Sequence, residues 1–143
     1  MTDHWYGKSM PDDDAVDFLN ERGTGVLCLA SDRRAYGIPV AFAYDAENDR
    51  ALFDLGFAPE SKKRSFLEST DDVCLTVYEH SSPHEWRSVV VTGPLEALAE
   101  GDVDDELESW FHTVAGDIDV EEPDLELQWY ELRVEELTGR YLG

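Results

Sequence analysis

The chain has 143 residues, with 33 Asp and Glu against 11 Lys and Arg, a net charge of -22, and 42% hydrophobic and 11% aromatic residues. That length suits a single domain spanning residues 1–143 with a sizeable core, and the apolar content is too high for a disordered chain. Nucleic acid needs a basic footprint and a membrane span needs a long apolar run, and the sequence has neither.

The start, Met1-Thr2-Asp3-His4-Trp5-Tyr6, does not read as a secretory signal, so a cytoplasmic location is expected. The acids are spread along the chain rather than gathered in a tail. An acidic surface everywhere is a solvent adaptation, because salt screens its self-repulsion, and it leads to the expectation of a halophilic host.

Ser9 to Arg22 carries Val16, Phe18 and Leu19 behind three acids and ends at Gly23, which predicts a short amphipathic helix. Gly25 to Ala30 is an apolar strand, closed by a turn at Ser31 to Arg34. Tyr36 to Tyr44 is a second strand with Pro39 inside it, which implies an edge, a bulge, or a backbone opened toward something else. Asp45 to Asp49 is a turn and Arg50 to Leu55 a third strand, so these two form a hairpin. A helix is predicted over Ser61 to Ser69, with Ser61 or a neighbour as its cap. Asp72 to Glu79 is strand four, His80 to His84 a turn, and Trp86 to Leu98 a strand interrupted near Gly93-Pro94. Asp102 to Ala115 is a helix with Leu107, Trp110, Phe111 and Val114 on one face. Asp117 to Asp124 is an acidic loop, and alternation over Gln128 to Leu137 gives strand six.

Hairpins with helices between them, and no βαβ rhythm, predict a mainly β chain with helices (α+β). The expected fold is a six-stranded antiparallel split β-barrel with about three peripheral helices.

Two of the three lysines stand together at Lys62 and Lys63, followed by Arg64. Cations at a helix start oppose the helix dipole, and the other two helices begin with acids. A phosphate held by first-turn N–H groups and flanking lysines would account for the exception; so would a solvated basic turn paired with neighbouring acids. Arg87 and Ser88, beginning an apolar strand, are either further ligands to the same anion or surface groups in a turn.

His80 and His84 are four residues apart, but Ser81-Ser82-Pro83 between them argues against the helix that would aim both rings at one metal, so no metal site is expected. Cys28 and Cys74 read as small buried hydrophobes in strands, without a disulfide. Trp86, Trp110 and Trp129 are core or interface residues by default. No residue is nominated as a catalytic acid, base or nucleophile. No Gly-rich dinucleotide fingerprint or Walker loop is present.

Taken in order, Gly25-Val-Leu-Cys-Leu-Ala30, Tyr36-Gly-Ile-Pro-Val40, Ala51-Leu-Phe-Asp54, Ser61-Lys62-Lys63 with Leu67, and Arg87-Ser-Val-Val-Val-Thr-Gly93 resemble the pyridoxamine 5'-phosphate oxidase-like superfamily of FMN-binding split barrels. The last motif is of the kind found in its small nitroimidazole-resistance-like branch. The resemblance implies FMN in a groove between two subunits of a homodimer. Ser61, Lys62 and Lys63 would hold the phosphate, Pro39, Val40, Ala41 and Phe42 would lie along the isoalloxazine, and Phe53 and Asp54 would stand on the next strand.

Arg87 and Ser88 complete the implied set, with Ser88 standing where the true oxidases carry glutamine. Those oxidases have further basic residues for their substrate and a C-terminal Arg-Leu-Ser-Pro-like segment. The chain has neither and ends Thr138-Gly-Arg-Tyr-Leu-Gly143. The implied function is therefore an FMN-dependent oxidoreductase acting on some other small molecule, with NAD(P)H a potential donor. A non-catalytic flavin- or haem-binding module, or a deazaflavin-dependent reductase on the same fold, remains the alternative.

Overall fold

The structure is a computed structural model describing residues 7–58, 61–115 and 126–143. Its elements are β1 (Lys8–Ser9), α1 (Asp12–Glu21), β2 (Thr24–Ser31), β3 (Arg34–Ala41), β4 (Ala43–Asp45), β5 (Arg50–Phe57), α2 (Lys62–Ser69), β6 (Asp72–Ser82), β7 (Glu85–Ala97), α3 (Asp105–Ala115), β8 (Glu126–Arg133) and β9 (Glu136–Leu142). The strands form one antiparallel sheet in the order β3-β2-β6-β7-β8-β5-β4, with β9 between β7 and β1. This is the mainly β split barrel expected.

Strand β7 makes the split. It pairs with β6 from Asp72 opposite Pro94 to Ser82 opposite Glu85. Its other edge serves β9 over Trp86–Thr92 and then β8 over Leu95–Ala97. Gly93 stands between those two stretches. A Cβ there would overlap the carbonyl oxygen of Arg133. Only glycine lets the corner from β8 to β9 press this closely.

The alternation of burial follows the pleat. Ile38, Leu27, Leu75, Val91 and Leu137 lie opposite one another across five strands, and Leu27, Leu75 and Val91 are fully buried. α1 packs Ala15, Phe18 and Leu19 onto the barrel, while α3 covers the outside of β4, β5 and β8 through Phe111, Leu52 and Ala43.

Nine strands among the described residues replace the six expected, for three local reasons. Phe42 leaves the ladder, its N–H donating to the Gly23 carbonyl at 2.9 Å, so the Tyr36–Tyr44 run becomes β3 and β4. The Gln128–Leu137 run turns a corner at Val134-Glu135, whose N–H groups donate to Asp49 and Thr92 carbonyls, and continues as β9. Lys8–Ser9, expected partly as helix, pairs with Arg140 and Tyr141.

Helix starts also move. α1 begins after Pro11, which cannot donate to a ladder and fits a first turn. α3 begins after Asp104, whose side chain accepts from Leu107 N–H at 2.7 Å. Pro39 lies on β3, the terminal strand of the sheet path, so of the three situations its presence implied the structure shows the edge. Trp110, expected in the core or an interface, is 37% exposed in the single chain. Cys28 and Cys74 are half-buried rather than buried and face each other across β2 and β6. The acidic loop expected at Asp117–Asp124 lies outside the described residues. No described helix is long and apolar enough to cross a membrane.

Candidate functional site at the start of α2

Strand β5 leads toward α2, and Ser61 caps the helix: its Oγ accepts from Arg64 N–H at 3.1 Å. The N–H groups of Lys62 and Lys63 are the remaining first-turn donors, directed out of the helix end. The three basic side chains then diverge. Lys62 Nζ sits 5.1 Å from the ring centre of Tyr36 on β3. Lys63 Nζ donates to the carbonyl of Gly56 on β5 at 2.8 Å. Arg64 pairs with Glu68 and Glu126, both at 3.0 Å.

Arg64 is a surface cation neutralised by acids. The two lysines stand on either side of the helix start, one leaning to β3 and one to β5. β3 and β5 are in contact without a hydrogen-bonded ladder, which makes the seam of the split barrel, and the α2 start sends one lysine to each of these two strands.

The other expected site residues are distributed as follows. Pro39 is exposed on the edge strand and Ala41 is half-buried. Val40, Phe42 and Phe53 are core residues, at 8%, 0% and 0% exposure. What β3 offers at the seam is mainly backbone, since an edge strand leaves alternate N–H and C=O groups unpaired.

Phe53 and Asp54 point to opposite faces of β5. Phe53 joins the barrel core, and Asp54 emerges beneath α3, opposite Trp129 and near His112 and Glu108. Asp54 Oδ1 is buried without a hydrogen-bond partner among the described residues. Burial raises its pKa; the neighbouring His112 works against this and the Glu108 carboxylate adds to it.

Arg87 and Ser88 lie elsewhere. Arg87 stacks 4.5 Å from the Phe18 ring centre and bonds Glu79 at 2.9 Å, with Glu21 at 3.6 Å, at the α1 end of the sheet. Ile38 and Val91 share one row of the sheet; Tyr36 lies two positions from that row toward one end, and Arg87 four positions toward the other. Six strand positions amount to roughly 20 Å along the strands. Within one chain, Arg87 and Ser88 are not brought to α2.

Sequence reasoning missed Tyr36, Gly56 and Glu79, the partners that decide where each cation goes, because those pairings depend on strand register. It also missed a signal that was present. Lys62, Ser65, Phe66 and Ser69 recur at helical spacing and share one face of α2. That face meets β3 and the β2–β3 turn: Phe66 packs on Tyr36 with ring centres 5.2 Å apart, and Ser69 Oγ donates to Ser31 Oγ at 2.9 Å.

The fold is shared with known structures. It matches the FAD binding protein from Mycobacterium smegmatis at 17% identity and TM-score 0.69, covering 94% of this chain and 98% of that one. It matches an FAD-binding protein from Mesorhizobium loti at 21% identity and TM-score 0.70, covering 95% and 98%. A candidate 5-nitroimidazole antibiotic resistance protein from Bacteroides thetaiotaomicron aligns at 15% identity and TM-score 0.64, covering 95% and 87%. No functionally curated protein matches the sequence. The family model described as pyridoxamine 5'-phosphate oxidase matches residues 11–141, nearly the whole chain, and the chain belongs to that family.

Proposed function

We propose that the chain is a cytoplasmic flavoprotein, an oxidoreductase acting on a small molecule, that holds FMN or the FMN portion of a larger flavin at the α2 start. The observation that carries the reading is the capped start of α2, with Lys62 and Lys63 reaching to the two strands of the barrel seam.

The donor chemistry fits the group. A phosphate there meets first-turn N–H groups and two ammonium groups, and Lys63 keeps two protons beyond the one given to Gly56. The exposed edge of β3 around Pro39 and Ala41 supplies backbone groups for a flat ring, while Val40, Phe42 and Phe53 stiffen the strands from within. A bound flavin would supply the electron transfer; the protein's part is to seat and shield it. Arg87 and Ser88 cannot bond a phosphate at α2 in their own chain. In this reading they act from a second copy, which is the argument for a homodimer. Names of proteins with the same fold, the FAD-binding proteins of M. smegmatis and M. loti, support a flavin.

The test is an absorbance spectrum of the purified protein before and after loading with FMN and desalting, alongside light scattering. Wild type retains the flavin band and runs as a dimer. The double variant Lys62→Ala/Lys63→Ala keeps its fold but loses at least ~100-fold in affinity, as two charge-assisted contacts of about 1.5–3 kcal/mol each require. Equal retention by both proteins would sink the phosphate assignment. Oxidation of added NAD(P)H by the loaded protein separates an oxidoreductase from a non-catalytic module.

A further inference from the structure

A cleft of about 600 Å³ lies between the β4–β5 hairpin and the start of α3. The hairpin wall carries Asp45, Glu47 and Arg50, and the α3 wall carries Glu106, Leu107 and Trp110. This cleft and the α2 start belong to opposite ends of β5, since Arg50 opens the strand and Phe57 closes it. The eight residues of β5 separate those ends by roughly 23 Å. The cleft is therefore independent of the flavin reading.

Tyr44 also lines the cleft and is 2% exposed. Its hydroxyl makes no hydrogen bond among the described residues, although a buried phenol usually finds a partner. Among those residues the one unbonded side-chain polar atom shut off from solvent is Asp54 Oδ1. The Tyr44 oxygen therefore reaches solvent, and the cleft is the solvent that this buried residue borders. Burial, and then the Asp49 and Asp45 carboxylates, raise the pKa of Tyr44, so it keeps its proton at neutral pH.

The acids around it have different duties. Asp102 and Asp104 accept backbone N–H bonds from Ala99 and Leu107 at 3.0 and 2.7 Å and fix the entry to α3. Asp45 bonds Arg50 at 3.0 Å. Glu47 and Glu106, one on each wall, have no ion pair among the described residues. Acids on the surface of a chain of net charge -22 need no ligand. Solvation of those acids does not explain a buried phenol left unpaired beside an exposed indole.

The volume falls within the range of small-molecule sites. Among the described residues no three acids converge as metal ligands would, so the negative charge suits an extended cation rather than a bare ion. An indole face attracts a cation, Leu107 and Trp110 give the cleft an apolar side, and a neutral phenol can accept from an ammonium N–H.

We infer that this cleft binds a linear aliphatic diamine. One ammonium end lies toward each acidic wall, the Tyr44 hydroxyl accepts from one of them, and the methylene chain runs along Leu107 and Trp110.

The test is calorimetric titration of 1,4-diaminobutane into the full chain at about 0.5 M NaCl, where exposed charges are largely screened. 1-Butanol is the neutral comparison, and circular dichroism checks folding. Wild type should bind one diamine and no butanol. Tyr44→Phe and the double variant Glu47→Gln/Glu106→Gln should each lose at least ~10-fold in affinity, as hydrogen bonds to a charged group require. Asp71→Asn/Asp72→Asn removes two exposed acids that line no part of the cleft and should bind as wild type does. No diamine binding, or binding that Asp71→Asn/Asp72→Asn weakens as much as the cleft variants do, would overturn the inference. So would a Tyr44→Phe protein that folds and binds like wild type. Should Tyr44→Phe not fold, the exposed pair Glu47 and Glu106 decides: unchanged affinity in their double variant refutes the site.

Discussion

Asp54 shows how much one side chain's orientation matters. The resemblance of Ala51-Leu-Phe-Asp54 to a family motif placed Phe53 and Asp54 together, and strand geometry sends them to opposite faces. Under α3, Asp54 has an oxygen without a hydrogen-bond partner among the described residues and a raised pKa caused first by burial, with Glu108 adding to it and His112 opposing it. A carboxyl whose folded pKa lies above its unfolded one binds more protons when folded, so stability falls as pH rises between the two values. Asp54→Asn removes that charge. The variant should melt above wild type at neutral pH, and the difference should shrink as pH drops below the ordinary carboxylate range. Thermal melts of both proteins from pH 3 to 8 check this; a gap that stays constant with pH would refute it.

At this scale the sequence was legible where the cause was local. Ser61 as a cap and Lys62-Lys63 as an exception to the dipole rule needed only neighbours in the chain. The counterpart of each cation, Tyr36, Gly56 or Glu79, is 7 to 26 residues away or more and was invisible without register.

The strands were legible as hydrophobic runs and illegible at their corners. Alternation continues smoothly through Val134 and Glu135, yet the chain changes partners there because Thr92 and Asp49 offer carbonyls on two different hairpins. Gly93 is what makes the exchange fit. Because its steric neighbour is the Arg133 backbone, no side chain can swing away. Gly93→Ala should cost at least about 3 kcal/mol, or abolish folding, as strained backbone substitutions in a core can. Gly37→Ala is the matched control, since its added methyl would meet only Val26 Cγ1 at an ordinary 3.5 Å. Urea melts that leave Gly93→Ala as stable as Gly37→Ala would contradict this account of the corner.

Arg50 ties the same region together from outside. It bonds Asp45 at 3.0 Å and Glu131 at 2.8 Å, joining the β4–β5 hairpin to β8. Burial pushes the Asp45 carboxyl up, but hydrogen bonds from Asn48 and Arg50 outweigh it and hold the group below its usual range.

For the molecule as a whole, fold class was legible because a split barrel needs only the right succession of hairpins and helices. The net charge of -22 is equally plain. Its physical consequence is self-repulsion in the compact state, which salt screens over a Debye length of about 10 Å at 0.1 M and 3 Å at 1 M. The melting temperature should therefore rise as NaCl is raised from 0.1 to 2 M. A flat or falling series would remove the argument for a halophilic setting. Salt also weakens phosphate contacts, so flavin affinity should decline over the same range while stability improves. The two measurements together separate binding from folding.

The facing cysteines of β2 and β6 turn the barrel's register into something a chemist can read. Cys28 and Cys74 are direct partners on the outer side of the pleat, since Leu27 and Leu75 beside them are fully buried. A slip of one residue between the two strands would turn one sulfur into the core while its partner stayed outside. A short bifunctional thiol reagent should therefore staple the correctly paired strands within one chain and miss any mispaired or domain-swapped form. The reaction calls for alkaline buffer, because burial, and then its neighbour Cys28, raise the Cys74 thiol pKa. The yield of that staple would report, by mass alone, what fraction of the protein has closed its barrel in the right register.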